Sequence, residues 1–163
     1  MKPEVLILTG SENDLEVMNH TVEELKRFGV GSKIVVSSAH RDPERTGQIL
    51  RKAEKDGYSV VIAAAGMAAH LAGKAAAETV LPVIGVPLNS STLGGLDALL
   101  STVQMPSGVP VATVSIGKSG AVNAAWLAVQ ILATRDRKLR QLLREKRSKM
   151  REELRKRGRR KNA

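Results

Sequence analysis

Short apolar runs alternate along this chain with longer stretches in which apolar residues recur every three or four positions. Five of the runs predict β-strands, at residues 5–8, 34–36, 59–64, 82–86 and 111–116. The run at 59–64 is almost continuously apolar, which is typical of a strand covered on both faces of a parallel sheet. The pattern therefore predicts a buried parallel sheet.

A helix is predicted after each strand. In the first helix, apolar residues at helical spacing stop before Gly29, a residue suited to ending a helix. Ser11 and Asp14 match a capping box at its start. Asp42 and Pro43 match the N-cap and first position of the second helix, which ends before residue 57. Further helices are predicted at about residues 68–79, 96–103 and 121–133.

Five strands joined by helices predict an α/β fold, a flavodoxin-like, doubly wound parallel sheet in a single domain. The length of 163 residues fits one domain with a substantial core. We assign residues 1–134 to the α/β domain and residues 135–163 to a basic C-terminal extension. Leucines spaced among charges predict one long amphipathic helix at about 136–156, with a frayed end at 157–163.

The formal net charge of +10 is concentrated in that extension. Residues 135–163 hold 15 Lys and Arg against four acidic residues, which leaves residues 1–134 with a net charge of −1. This distribution argues against a nucleic-acid-binding face on the α/β domain. The tail itself is compatible with two functions, namely assembly through its leucines or binding of RNA or another polyanion through its cations.

Composition narrows the remaining possibilities. The only aromatic residues are Phe28, Tyr58 and Trp126, so the core is expected to be aliphatic and rich in alanine. The chain has no cysteine, which excludes disulfides, a thiolate nucleophile and a Cys-ligated metal. No apolar stretch approaches the roughly 20 residues of a membrane span, so we expect no membrane partner and a cytoplasmic location.

Polar side chains follow three of the predicted strands at the point where each strand ends. Ser11 and Asp14 follow the first strand, His40 and Arg41 the second, and His70 the third. The carboxyl ends of parallel strands lie at one edge of the sheet, where open α/β folds bind their ligands. Hydroxyl, carboxylate, imidazole and guanidinium groups together predict a site for a small anionic substrate.

Five short motifs in order and spacing resemble one known family. They are Gly10-Ser11-x-x-Asp14, Ser38-Ala39-His40-Arg41, Ala65-Gly66-x-Ala68-Ala69-His70-Leu71, Leu96-Asp97 and Gln104-Met105-Pro106-x-Gly108. Over roughly residues 5–134 the chain resembles the N5-carboxyaminoimidazole ribonucleotide mutase family, the small-subunit phosphoribosylaminoimidazole carboxylases. One such motif is weak evidence, whereas five in register are strong.

The resemblance implies that residues 1–134 are a catalytic domain, with an isomerase activity in purine biosynthesis. The reaction moves a carboxylate from the exocyclic nitrogen of an aminoimidazole ribonucleotide to a ring carbon, with no metal and no cofactor. His40 is the implied proton shuttle, because an imidazole gains and loses a proton near neutrality. His70 is the second catalytic candidate, where it orients the carboxylate or lines the carbon dioxide pocket. It could instead simply cap its helix.

The resemblance also implies a substrate-binding set: Gly10, Ser11, Asp14, Ser38, Ala39, Arg41, Gly66, Ala69 and Leu71. A helix N-terminus at Ser11 offers free N–H groups to a phosphate, and Asp14 can accept hydrogen bonds from ribose hydroxyls. Arg41 is expected to hold the phosphate with its fork of donors. The alternative for Arg41 is a surface ion pair with Asp42 or Glu44.

The chain departs from the family pattern at four positions. Asn13, Met67 and Ala72 stand where Ser, Gly and Pro are usual, and Asp42 stands where Thr is common. Met67 is the most consequential, because it adds bulk beside a glycine turn. We expect its side chain to point into the interface between sheet and helix, so that replacing it with glycine lowers thermal stability.

Three other functions compete with the mutase. A related class carboxylates aminoimidazole ribonucleotide directly with carbon dioxide, although the Ala68-Ala69-His70-Leu71 run favours the mutase. A flavodoxin-like binding module lacks aromatic residues to stack on a flavin. A non-enzymatic polyanion-binding protein would act through the tail. The resemblance favours assembly, with the C-terminal helix reaching across neighbouring subunits of a homo-octamer.

Overall fold

The predicted strands form one parallel sheet in the computed structural model, which describes residues 4–161, with side chains through residue 157. The strands are β1 (Val5–Thr9), β2 (Ser32–Val36), β3 (Val60–Gly66), β4 (Val83–Leu88) and β5 (Ala112–Thr113). Their spatial order is β2-β1-β3-β4-β5, and every pairing is parallel. This order is that of flavodoxin-like sheets, so the predicted fold class is confirmed.

Six α-helices connect or follow the strands within residues 4–161. They are α1 (Leu15–Arg27), α2 (Pro43–Ala53), α3 (Leu71–Glu78), α4 (Leu96–Val103), α5 (Gly117–Leu132) and α6 (Arg137–Lys161). Helices α1 and α5 cover one face of the sheet, and α2, α3 and α4 cover the other. The sheet is therefore doubly wound, as the sequence predicts.

The alternation of strand side chains divides the core into two layers. In β1, Val5 and Ile7 point toward α1 and α5, whereas Leu6 and Leu8 point toward α2 and α3. All four are at most 2% exposed. The layer under α5 also holds many buried alanines, which confirms the expected aliphatic, alanine-rich core.

The fifth strand is shorter than predicted. The apolar run 111–116 predicts six residues, but only Ala112 and Thr113 pair with β4. The chain then folds back closely, since a Cβ on Gly120 would lie 1.7 Å from the Ser115 carbonyl oxygen. Helix α5 accordingly begins at Gly117, four residues before the predicted start, and the Gly-Lys-Ser-Gly segment forms its first turn.

Two other boundaries also differ from the prediction. Strand β3 continues through Gly66, so α3 begins only at Leu71 instead of at residue 68. Helix α6 continues through Lys161, although fraying is predicted from 157. The last two residues of that predicted frayed end, 162 and 163, lie outside the described residues. Within the part of the chain that the structure describes, no helix is long and apolar enough to cross a membrane.

Candidate active site

The register of the sheet places the ends of three strands side by side. Thr9, the last residue of β1, pairs with Val36 of β2 and Ala64 of β3. The segments that follow these strands, together with the loop after β4, enclose a cavity of about 280 Å³. It is lined by Gly10, Ser11, Asn13, Asp14, Ser38, Ala39, His40, Ala65, Gly66, Met67, Ala68, His70, Leu71 and Ser90. The structure thus brings most of the predicted site residues together around one cavity at the predicted edge of the sheet.

A capping box joins β1 to α1 at one side of the cavity. The backbone N–H of Asn13 donates to the Ser11 hydroxyl at 3.2 Å, and the N–H of Ser11 donates to Asp14 Oδ2 at 3.1 Å. Burial raises the pKa of the Asp14 carboxyl, while hydrogen bonds from the backbone N–H groups of Ser11 and Gly10 partly oppose that rise. The turn therefore presents a largely buried acceptor that is held in place by backbone.

Two imidazoles meet across the cavity. His40 Nε2 lies 2.8 Å from His70 Nδ1, and the ring planes are 89° apart with centroids separated by 4.9 Å. His70 stands at the N-terminus of α3, but its side chain makes no capping hydrogen bond. Its ring is engaged by His40 instead, which argues against the capping interpretation. Both side chains are exposed at the mouth of the cavity.

Arg41 does not line the cavity, but its guanidinium contacts a residue of the rim. Its Nη2 donates to the Gly10 carbonyl oxygen at 3.0 Å, and Gly10 lines the cavity. The alternative interpretation of Arg41 is a surface ion pair with Asp42 or Glu44, but both carboxylates are engaged elsewhere. Asp42 Oδ1 accepts from the N–H of Arg45, and Glu44 lies 3.5 Å from Arg51.

The floor of the cavity requires a glycine at one point. A Cβ on Gly66 would stand 1.6 Å from the Ser90 hydroxyl oxygen and 2.9 Å from Ser90 Cβ. Any side chain at 66 would therefore displace the Ser90 side chain. Gly66 lines the cavity as backbone, and it allows Ser90 to approach the end of β3.

The predicted site residues differ in whether they line the cavity, and in whether they do so with backbone or side chain. The cavity lining includes Gly10, Ser11, Asp14, Ser38, Ala39, His40, Gly66, His70 and Leu71. Leu71 is 2% exposed, and its side chain packs in the core under α3, so its contribution to the site is mainly backbone. Ala69 is buried and does not line the cavity, whereas the exposed Ala68 does.

Five further residues line the cavity that the set of site residues predicted from the sequence does not include: Asn13, Ala65, Met67, Ala68 and Ser90. Four of them lie inside the motifs already singled out, so proximity in sequence was an available signal. Ser90 follows β4, whose end carried no candidate residue. Its position after a fourth parallel strand was the signal that pointed to it.

Met67 does not point into the interface between sheet and helix, contrary to the expectation. Its side chain is 62% exposed beside the cavity, and its φ of 55° is the one left-handed non-glycine conformation among the described residues. An L-residue pays a steric penalty in this region. The left-handed backbone conformation, which glycine adopts more readily than other residues, directs the side chain outward.

Replacing Met67 with glycine is therefore expected to raise thermal stability, reversing the sequence-based expectation. The change relieves the strain of the left-handed conformation and removes little buried surface. The free energy of unfolding should therefore rise by up to about 1 kcal/mol. Thermal unfolding of both proteins at equal concentration measures the effect. A clear fall in Tm for Met67→Gly would mean that the side chain is packed in the assembled protein.

Comparison with known proteins identifies the family. The AIR carboxylase family model matches residues 4–153. The chain belongs to this family. The N5-carboxyaminoimidazole ribonucleotide mutase of Saccharolobus solfataricus is 56% identical over 137 residues, which cover 84% of this chain and 85% of that protein. The mutase of Escherichia coli strain K12 is 50% identical over 139 residues, with coverage of 85% and 82%.

A solved structure agrees with the assignment to the AIR carboxylase family. The crystal structure of Treponema denticola PurE matches with a TM-score of 0.85 and 29% identity, covering 93% of this chain and 94% of that one. The resemblance inferred from the five motifs is thereby confirmed, over a longer span than the motifs themselves occupy.

The histidine pair of this AIR carboxylase family member has a definite chemical capacity. One of the two facing nitrogens must donate and the other must accept, so the pair carries at most one proton at that contact. A change in protonation of one ring therefore changes the role of the other. Such a pair can take up and release a proton beside a ligand in the cavity.

Proposed function

We propose that this protein is an N5-carboxyaminoimidazole ribonucleotide mutase, an isomerase of purine biosynthesis. The observation that carries the proposal is the hydrogen-bonded pair of His40 and His70 in the cavity of an AIR carboxylase family fold. Relatives at about 50% identity that bear the mutase name support the same activity.

The ribonucleotide is proposed to lie along the strand edge. Its phosphate binds beside the turn that leads into α1, where the Ser11 hydroxyl, which only accepts a hydrogen bond within the capping box, can donate to it, and Arg41 closes over it from the rim. Asp14 accepts hydrogen bonds from the ribose hydroxyls. The imidazole ring lies over Gly66 and Ala68, where small groups allow the backbone to approach a flat ring.

The proposed reaction needs a proton to enter and a proton to leave. The carbamate C–N bond breaks, carbon dioxide departs, and the exocyclic nitrogen takes a proton from His40. The electron-rich ring carbon then attacks carbon dioxide, and the new C–C bond forms. His40 removes the proton from that carbon, so the acid is regenerated and the step is a balanced isomerisation. Its hydrogen bond to His70 orients the ring for both transfers.

Retention of carbon dioxide requires exclusion of water, and one copy of the chain leaves the histidines exposed. An apolar stripe lies on α4 and on the loop before it, which also carries the cavity residue Ser90. Its members are Leu93, Leu96, Leu100 and Val103, which are 47–64% exposed. We infer that copies of this chain cover the stripe and complete the cavity, in the homo-octamer that the family resemblance implies.

Truncation after Arg144 is expected to reduce the number of subunits in the oligomer. Leu142 and Leu143 still pack against the core after this cut, but Met150 and Leu154, which are 52% and 65% exposed, are lost. Light scattering coupled to size exclusion measures the mass. An octamer that survives the truncation would refute the assembly role of α6.

A matched variant separates assembly from polyanion binding. Arg151→Gln with Arg155→Gln removes two exposed cations and keeps the apolar residues of α6. The octamer should persist in this variant, whereas weaker RNA binding with a shallower salt dependence would support the polyanion function.

The cytoplasmic location of the protein stays a prediction.

Direct carboxylation of aminoimidazole ribonucleotide is the second candidate, favoured by the description of the family model as AIR carboxylase. The deciding experiment supplies the purified protein either with the carbamate or with aminoimidazole ribonucleotide plus bicarbonate. We expect the carbon-linked product to form efficiently from the carbamate. Efficient formation only from bicarbonate would assign the carboxylase, and no product from either would refute both.

A further inference from the structure

Ser90 is the cavity residue whose side chain the proposed function leaves unused. It lies in the loop after β4, and its hydroxyl oxygen occupies the space directly beside the Cα of Gly66. Within residues 4–157, where side chains are described, this exposed hydroxyl has no hydrogen-bond partner, although the residue lines the cavity. A serine that packs this closely against a strand end without a partner is a donor available to a ligand.

The loop holds Ser90 in place through its neighbours. The Ser91 hydroxyl donates to Asp97 Oδ1 at 2.9 Å and accepts from the N–H of Leu93. The N–H of Gly94 donates to the Ser91 carbonyl oxygen at 3.2 Å. The fixed contacts of the loop thus belong to Ser91, while Ser90 is positioned by them and left free.

The position of Ser90 along the sheet edge indicates which part of a ligand it meets. The phosphate and ribose groups proposed above, Ser11, Asp14 and Arg41, follow β1 and β2. Ser90 follows β4, on the other side of β3, and neighbouring strands are about 4.8 Å apart. A ribonucleotide anchored over β1 therefore extends its ring toward β3 and β4. His70 follows β3, and its ring contacts His40, the proposed proton shuttle, at 2.8 Å. The histidine pair and Ser90 therefore share the ring end of the cavity.

We propose that the Ser90 hydroxyl donates a hydrogen bond to the carboxylate that migrates, and to carbon dioxide while it is free. This assignment rests on the proposed function and names the group that keeps carbon dioxide beside the ring. Carbamate and product carboxylates both need donors, and a hydroxyl rotates to follow the oxygen atoms as they move from nitrogen to carbon. The Gly66 backbone is the structural requirement that brings the hydroxyl there.

The test is the fate of the carbamate with Ser90→Ala. The readout is the ratio of aminoimidazole ribonucleotide released to carbon-linked product formed, after subtraction of the rate without enzyme. Loss of a hydrogen bond to a charged group corresponds to a change of roughly tenfold or more in a binding constant. We therefore expect this leak ratio to rise about tenfold. The KM for the carbamate should change much less, because the phosphate and ribose contacts remain.

Ser91→Ala is the matched control, since it removes the adjacent hydroxyl and its bond to Asp97. It should lower stability but leave the leak ratio at the wild-type value. An unchanged ratio in Ser90→Ala, with a wild-type enzyme that converts the carbamate, would overturn the assignment and leave the mutase proposal standing. If wild type uses bicarbonate instead, Ser90→Ala must raise the KM for bicarbonate about tenfold, and an unchanged KM would overturn it. A wild-type protein with neither activity would overturn both.

Discussion

Replacing His40 by asparagine is expected to lower turnover at least a hundredfold while folding and ribonucleotide binding stay nearly unchanged. Asparagine can retain a hydrogen bond to His70 Nδ1, but it cannot exchange a proton near neutrality. A positioned general acid–base typically contributes roughly 10²–10⁴-fold to the rate, which sets the size of the loss. Steady-state assays with the carbamate, together with ligand titration and thermal unfolding, separate the three properties.

Two further histidines serve as comparisons for that variant. His20 lies in α1 away from the cavity lining, so His20→Asn should leave turnover at the wild-type level. His70→Asn removes the partner that orients the shuttle and should reduce turnover less than loss of the shuttle itself. A His40→Asn enzyme that kept even a tenth of the wild-type rate would show that the proton travels by another route.

Most of the fold follows from local signals in the sequence. The strands of the sheet interior, β1, β3 and β4, are buried apolar runs, as predicted. The predicted capping box at Ser11 is present, but it caps a short 3-10 turn at Glu12–Asp14 that leads into α1. The length of the edge strand β5 was overestimated, because the chain leaves the sheet after Thr113 although its neighbour β4 continues to Leu88. Its pairing ends at Thr113, where the chain turns into α5.

The site was predicted less completely, because its geometry depends on contacts between distant segments. His40 and His70 lie thirty residues apart in separate turns, and no local pattern indicates that their rings meet at 2.8 Å. Ser90 carries no motif of its own, and its importance is visible only through the space that Gly66 leaves open. The direction of the Met67 side chain was predicted wrongly, because it depends on a left-handed backbone conformation that the size of the side chain does not reveal.

The role of Arg41 follows from how its guanidinium is held. Within residues 4–157, where side chains are described, it forms no ion pair, and its single hydrogen bond goes to the Gly10 carbonyl at the cavity. Arg45, in the first turn of α2, offers a close match, since its Nη1 donates at 3.1 Å to the carbonyl of Val36, which does not line the cavity. One exposed arginine thus borders the proposed phosphate site and the other does not.

Arg41→Lys is accordingly expected to weaken binding of the ribonucleotide about ten- to a hundredfold. Lysine keeps the charge but loses the planar fork that binds a phosphate bidentately, and loss of one charge-assisted hydrogen bond costs roughly 1.5–3 kcal/mol. The ribonucleoside without its phosphate should bind wild type and variant about equally, because the missing group removes the interaction from both. Arg45→Lys should leave both affinities unchanged. Calorimetric titration of both ligands against the three proteins checks this, and equal affinity of wild type and Arg41→Lys for the ribonucleotide would exclude Arg41 from the phosphate site.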